Sequence, residues 1–319
     1  MSSDNAIKKT MPSPGNPPFW YGSFSAVWVY LPVPLAVLDD LLQGENENLR
    51  AFAFQDLGKS MGLMNFNFMT YGADSGINDP AAYADILKPI SYNDKPPASF
   101  GVEPTHECEI NILSYSAARK AQVPFGLSSS DFIRGHDHTK TIGNYRLWVP
   151  CDDRIAVYWG MHNFGENKLM TPPFVYQMPC WNNSSQPVWD VKIPAPMGEP
   201  AGNTLFHFVA DDLKGRPGVE QGNQSEIIDL SLWPHAEEKP DTRRLVASRR
   251  NAFGVYNILT RDSKERMPGF ELNIGNSSHV LVSELHRMLD QGGAIEPAGM
   301  MTYFSQPAVS ESSLYYFDI

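Results

Sequence analysis

Apolar and polar residues alternate strictly in the segment GLMNFNFMTYG, which runs from Gly62 to Gly72. Met64, Phe66 and Phe68 fall on one side of an extended chain, and Asn65 and Asn67 fall on the other. A period of two is the pattern of a β-strand, whose successive side chains point to opposite faces. The segment therefore predicts a strand with one apolar face and one amide-bearing face.

Similar patterns predict many strands and few helices. Strands are predicted over 23–33, 49–58, 106–116, 144–151, 173–179, 187–194, 203–210 and 225–233, with two short ones near the C-terminus. Helices are predicted over 34–45, where four leucines share a face, over 277–293, and in a short piece after Asp153. Strands do not alternate with helices, so a doubly wound parallel sheet is excluded and a mostly antiparallel α+β fold is predicted.

The predicted domain organisation is simple. Residues 1–18 are rich in Ser, Pro and Asn and are predicted to form an N-terminal arm. Residues 19–319 are predicted to form a single domain, in which 194–275, richer in Pro, Gly and charge, is a possible elaboration.

Charge and motifs exclude several classes of partner. The chain carries 36 acidic residues against 25 Lys and Arg, a formal charge of −11, so neither nucleic acid nor a membrane is a predicted partner. No signal peptide, long apolar span or paired cysteine motif occurs, which predicts a cytoplasmic protein. The usual nucleotide-binding and zinc-protease motifs are missing as well, so no cofactor and no metal are predicted.

The segment HECEINILSYS, residues 106–116, carries the first candidate chemistry. Ile110 and Ile112 alternate with Glu107, Glu109 and Asn111. A row of carboxylates on a strand is most simply a solvated face. If the strand lines the inside of a barrel or cone, however, one of these carboxylates can transfer protons, and Asn65 and Asn67 would suit such a polar interior.

His136 and His138 in GHDHTK form a second candidate, because two histidines two residues apart can bind a metal if a third ligand joins them. The pair follows a glycine in a loop-like stretch, so an ordinary loop is the favoured interpretation.

Lys168 is the third candidate. It follows the turn Gly165, Glu166, Asn167 and precedes the apolar stretch LMTPPFVY. Burial at the edge of an apolar pocket lowers the pKa of a lysine, and a neutral amine attacks an aldehyde or ketone to form a Schiff base. We therefore expect a neutral, nucleophilic Lys168.

Three stretches together resemble the acetoacetate decarboxylase superfamily. IGNYRLWVPCDD resembles the family's Gly-x-Tyr strand, IAVYWGMHNFGENKL resembles the segment that leads to its catalytic lysine, and CEINIL resembles the strand with its key glutamate. The opening strand and the helix PLAVLDDLL also match. The resemblance covers about residues 20–190 and implies a cone or barrel-like double sheet with a few flanking helices.

The resemblance assigns roles residue by residue. Lys168 falls on the Schiff-base lysine and Glu109 on the essential glutamate, with Glu107 as the alternative if the register differs by two. The family also implies a homo-oligomer. This chain departs from it where Leu169 replaces a second basic residue and where the substrate-binding arginine of the first strand falls near Phe24.

The predicted function is that of a lyase acting on a small carbonyl substrate, either by decarboxylation or by aldolase- or dehydratase-like chemistry. Glu107, Asn65, Asn67, Arg146 and Trp20 are the predicted substrate-binding residues. The missing arginine weakens the decarboxylase alternative, because a buried carboxylate needs a positive partner. The competing hypothesis is a non-catalytic binding protein whose aromatic strands line an apolar pocket.

Overall fold

The computed structural model describes residues 19–74, 105–179, 188–233, 243–290, 296–305, 309–311 and 315–317. The predicted arm over 1–18 lies outside these residues. The strands are β1 Phe19–Pro34, β2 Leu49–Ala51, β3 Met61–Asp74, β4 Thr105–Ser116, β5 Ile142–Cys151, β6 Lys168–Met170, β7 Val175–Gln177, β8 Val188–Pro194, β9 Thr204–Asp211, β10 Glu220–Trp233, β11 Arg244–Thr260, β12 Phe270–Ile274, β13 Gly299–Ser305, β14 Val309–Glu311 and β15 Tyr315–Tyr316. The α-helices are α1 Leu35–Glu45, α2 Ser129–Ile133, α3 Arg154–Phe164 and α4 Val280–Leu289. Two 3-10 turns span Gln55–Leu57 and Ala117–Gln122.

The larger sheet closes on itself. Its strand order is β2-β4-β3-β1-β13-β11-β10-β5-β6, and β4 pairs with β5 in addition, so seven of the strands form a ring. Pairing is antiparallel except between β5 and β10 and between β5 and β6. The predicted α+β class with a closed, mostly antiparallel sheet is therefore confirmed.

The two faces of the ring are both buried but differ in chemistry. Outward-facing residues such as Val29, Phe66 and Ile110 belong to a large apolar core that also contains residues of the second sheet and of α1 and α4. The opposite face lines the interior of the ring, where aromatic residues such as Trp28 and Tyr303 lie beside a group of charged and amide side chains. The predicted alternation in β3 and β4 is correct, and the polar faces of these strands are enclosed instead of solvated.

The second sheet has four strands in the order β12-β9-β8-β7 and covers part of the outer face. Trp189, Phe206 and Phe208 from this sheet are fully buried against Phe66 and Phe68 of β3. The amphipathic helices α1 and α4 bury leucines in the same core.

The region 194–275, predicted as a possible elaboration, contributes two long strands of the ring, β10 and β11. They pair with each other over most of their length and lie between β13 and β5. Among the described residues, no helix combines the length and the apolar character needed to cross a bilayer.

Candidate active site

A β-α-β connection places Lys168 at the edge of the ring. The Asp153 carboxylate accepts a hydrogen bond from the Ala156 amide (2.7 Å) and caps α3. The helix ends at Gly165, whose φ of 63° is a left-handed conformation that glycine adopts without strain. The chain then returns so that Lys168 pairs with Val149 of β5 in parallel register.

The Lys168 amine points into the ring and contacts two carboxylates. Its side chain is 4% exposed, donates a hydrogen bond to Glu107 Oε2 and lies 3.1 Å from Glu166 Oε2. The hydroxyl of Tyr71 donates to the same oxygen of Glu107 at 2.8 Å. Lys168 is therefore held between carboxylates from β4 and from the turn that precedes β6.

The electrostatic setting corrects one expectation. Burial alone lowers the pKa of Lys168, but the negative charges of Glu107 and Glu166 outweigh burial and raise its pKa. The raised pKa of Lys168 argues against the predicted neutral amine and favours an ammonium ion. Desolvation follows from the apolar stretch after Lys168, whereas only the fold brings the two carboxylates to the amine.

The two carboxylates beside Lys168 differ in proton affinity. Burial raises the pKa of Glu107, although Lys168 opposes the rise. Burial also acts to raise the pKa of Glu166, but Arg146 and Lys168 together lower it. Glu107 is therefore the carboxylate that accepts a proton more readily, and Glu166 remains ionised.

Glu109 belongs to a different ion-pair group from Lys168. Its carboxylate pairs with Arg250 of β11 at 2.6 Å, and Arg250 also pairs with Asp229 of β10 at 2.6 Å. The residue bonded to Lys168 is therefore Glu107, the alternative in the predicted register. All three side chains of this group are at most 1% exposed, and they join β4, β10 and β11 across the ring.

Arg146, whose orientation the alternation left open, faces the interior. Its guanidinium pairs with Glu166 and donates to the hydroxyls of Ser231 (3.2 Å) and Ser248 (3.3 Å). Arg146 thus contacts the same carboxylate as Lys168.

The predicted asparagines support the second group. Asn67 Nδ2 donates to Glu109 at 2.7 Å. Asn111 Nδ2 lies 3.2 Å from both Glu109 Oε2 and Asn65 Oδ1. Asn65 is therefore linked to Glu109 through Asn111. Asn65 and Asn67 therefore lie with Glu109 and Arg250, and the hydrogen bonds they make are to protein groups.

The remaining predicted residues lie elsewhere. Trp20 is in β1, and its side chain lies outside the part of the chain that is described. His136 contacts Asp131 at 3.3 Å on the surface. No group of three or more metal-binding side chains occurs among the residues described.

Four site residues were missed by the sequence argument: Tyr71, Glu166, Asp229 and Arg250. Glu166 lies two residues before Lys168, in a Gly-Glu-Asn stretch that indicates a turn. Asp229 alternates with apolar residues in the strand predicted over 225–233, which is the signal that could have found it. Arg250 lies in a charged stretch in which apolar and polar residues do not alternate regularly.

Comparisons with known proteins support the fold. No protein-family model and no curated protein matches the chain. The enduracididine biosynthesis enzyme MppR in complex with pyruvate superposes with a TM-score of 0.53 at 12% identity, over 96% of this chain and 95% of that chain. The same enzyme with the condensation product of pyruvate and imidazole 4-carboxaldehyde gives a TM-score of 0.52 at 12% identity, over 96% and 94%. Acetoacetate decarboxylase from Legionella pneumophila gives a TM-score of 0.50 at 10% identity, over 97% and 93%.

These superpositions show a shared architecture. Sequence identities of 10% and 12% leave the reaction open. The resemblance first drawn from IGNYRLWVPCDD, IAVYWGMHNFGENKL and CEINIL is thus confirmed as a likeness of fold. The chain has the acetoacetate decarboxylase-like fold.

Proposed function

We propose that the protein is a lyase that forms a Schiff base between Lys168 and a small carbonyl compound. The observation that carries the proposal is the buried hydrogen bond between the Lys168 amine and Glu107, a carboxylate whose pKa is raised by burial. Such a carboxylate can take the proton that the ammonium ion must lose before it attacks. The pair then becomes a neutral amine and a neutral acid, which a site closed to water favours.

The steps that follow use the same groups. The Lys168 amine adds to the carbonyl carbon, and the oxygen takes one proton from the acid form of Glu107 and one from the amine nitrogen before it leaves as water. The resulting protonated imine draws electrons from the adjacent carbon, so a C–C or C–H bond there breaks at lower cost. Glu166 orients Lys168 through their ion pair, and Arg146 holds Glu166 in place.

The neighbouring structures support carbonyl chemistry without selecting a reaction. One neighbour is an acetoacetate decarboxylase, and MppR was solved with a condensation product of pyruvate and an aldehyde. Both decarboxylation and aldolase- or dehydratase-like chemistry are consistent with an imine on Lys168. Glu109 and Asn67 lie with Arg250, and we propose that they hold the interior in shape.

A second candidate function is a non-catalytic binding protein. It is favoured by the raised pKa of Lys168, since an ammonium ion held between two carboxylates is a poor nucleophile. In this case the ion pairs serve structure alone. The predicted homo-oligomer is compatible with either function and stays a prediction.

Borohydride trapping separates the two functions. The protein is incubated with propanal, methyl acetoacetate or acetoacetate, reduced, digested and mapped by mass spectrometry. We expect an adduct on Lys168 that is absent from Lys168→Arg, which keeps the charge but cannot form an imine. The matched control is Lys192→Arg, a change at an exposed lysine of β8, which should leave the adduct intact. The absence of an adduct with all three compounds would favour the binding protein.

The pH dependence of trapping tests the role of Glu107. Because the pKa of Lys168 is raised, the neutral amine becomes more abundant as pH rises, so trapping should accelerate from about pH 7 to about pH 9.5. Glu107→Gln removes one negative charge beside the amine and lowers its pKa. The rise in trapping rate should therefore begin at a pH about 1 to 3 units lower, while the rate constant of the neutral amine falls by about 100-fold or more because proton transfer is lost.

Glu271→Gln is the control, since this carboxylate is exposed on β12. It should leave both the pH at which the rise begins and the rate constant unchanged. If the rise begins at the same pH in Glu107→Gln as in the wild type, Glu107 does not control the charge of Lys168.

A further inference from the structure

Both buried arginines of the interior are already occupied by the protein itself. Each of the three guanidinium nitrogens of Arg146 faces a protein group, namely Ser231, Glu166 or Ser248. In Arg250, Nε and Nη2 both donate to Asp229, and Nη2 also donates to Glu109. The remaining nitrogen, Nη1, faces the sulfur of Met69 at 3.7 Å. Neither arginine therefore offers a carboxylate the paired N–H edge that makes such recognition strong.

The charge balance points the same way. The two ion-pair groups hold four carboxylates, Glu107, Glu109, Glu166 and Asp229, against three cations, Lys168, Arg146 and Arg250. These seven side chains are at most 6% exposed, so water screens them little. An anionic substrate would add a second excess negative charge to an enclosed site.

We infer that the substrate bound at Lys168 is an uncharged aldehyde or ketone, and not a keto acid. The inference rests on the proposed Schiff-base function. The carboxylate of a keto acid needs a positive partner when it leaves water, and Lys168, Arg146 and Arg250 are each paired with a protein carboxylate. A neutral carbonyl compound needs only the amine and a proton donor, which Lys168 and Glu107 supply.

This substrate class selects a reaction class. Without a carboxylate to lose as carbon dioxide, the imine is used at the C–H bond next to it. The Lys168 amine replaces the carbonyl oxygen, which leaves as water, and a carboxylate takes a proton from the adjacent carbon to give an enamine. The enamine carbon forms a bond to the carbonyl carbon of a second aldehyde, whose oxygen takes up a proton, and water then hydrolyses the imine to release the aldol product and the amine.

The test compares acetoacetate with its methyl ester, which differ chiefly in charge. Borohydride trapping rates on Lys168 are measured for both, and each is divided by the rate with Nα-acetyl-lysine to remove intrinsic reactivity. We expect the ester to be trapped at least ten times faster than the acid after this correction. A second arm incubates the protein with propanal in heavy water, where deuterium should enter the position next to the carbonyl.

Charge variants test the cause. Glu109→Gln removes the excess negative charge and should shift the ester-to-acid ratio at least fivefold toward the acid. Asp229→Asn makes the same change on β10 and serves if the first variant does not fold. A folded variant with an unchanged ratio would overturn the electrostatic argument.

The two proposals fail in different ways. If neither acid nor ester is trapped on Lys168, the Schiff-base function itself is lost. If both are trapped equally fast after correction, or the acid faster, the uncharged substrate is rejected while the Schiff-base function stands.

Discussion

Gly160→Ala is expected to reduce imine formation on Lys168 by about 100-fold or more, since a displacement of about 1 Å can have that effect on a reacting group. Gly160 lies in α3, and a Cβ added there would overlap both Cε of Lys168 and Oε2 of Glu166. Both side chains are buried and ion-paired, so neither can move without breaking a contact to the other or to Glu107. The backbone of Gly160 is helical, and alanine favours a helix by about 1 kcal/mol over glycine.

The experiment measures the borohydride trapping rate and the free energy of unfolding of the same preparations. Gly44→Ala in α1 is the matched control, because it is the same change in a helix with no atom within 4 Å of the new Cβ. It should preserve trapping. A wild-type trapping rate in folded Gly160→Ala would show that Lys168 does not need the space that glycine leaves.

Arg250→Leu is expected to destabilise the protein by about 3–5 kcal/mol, the usual cost of leaving buried charges without their partner. Arg250 is the cation between Glu109 and Asp229, and all three side chains are excluded from water. Without the guanidinium, these two buried carboxylates lose the cation that they share.

Urea unfolding measures the deficit. The neighbouring Arg249→Leu is the control, because Arg249 is partly exposed and pairs with Glu226 at 3.2 Å on the surface. Its loss should amount to less than about 1 kcal/mol. Adding Glu109→Gln and Asp229→Asn to Arg250→Leu should recover part of the stability, and a deficit equal to that of Arg249→Leu would contradict the ion-pair account.

Much of the fold follows from local patterns. The alternation in β3 and β4, the apolar strand β1 and the leucine face of α1 are visible in sequence because each element buries a distinct face. β11 was not predicted, although it is the longest strand. Its interior face carries Ser248 and Arg250 where an apolar residue would be expected, so no period of two appears between Arg244 and Tyr256.

The kinds of residue in the candidate site could be predicted from the sequence, but the ion pairs that they form could be predicted only in part. Lys168 and the carboxylates of β4 were found from residue type, spacing and resemblance. Glu107 and Glu109 lie on the same face of one strand, so alternation cannot decide which of them meets Lys168. That choice is made by the position of β6 against β5 and by Arg250, which binds Glu109 from across the ring.

The ring also sets an order of events during synthesis. Glu109 and Arg250 are 141 positions apart, so the carboxylate of β4 leaves the ribosome long before its cation does. Contacts between such distant segments form slowly, because a long loop must close first. Until β11 arrives, Glu109 and Asp229 must stay hydrated, and the nascent chain cannot seal its interior. A truncated chain that ends before β11 would therefore keep Lys168 and lack the enclosure on which the proposed reactivity of Lys168 depends.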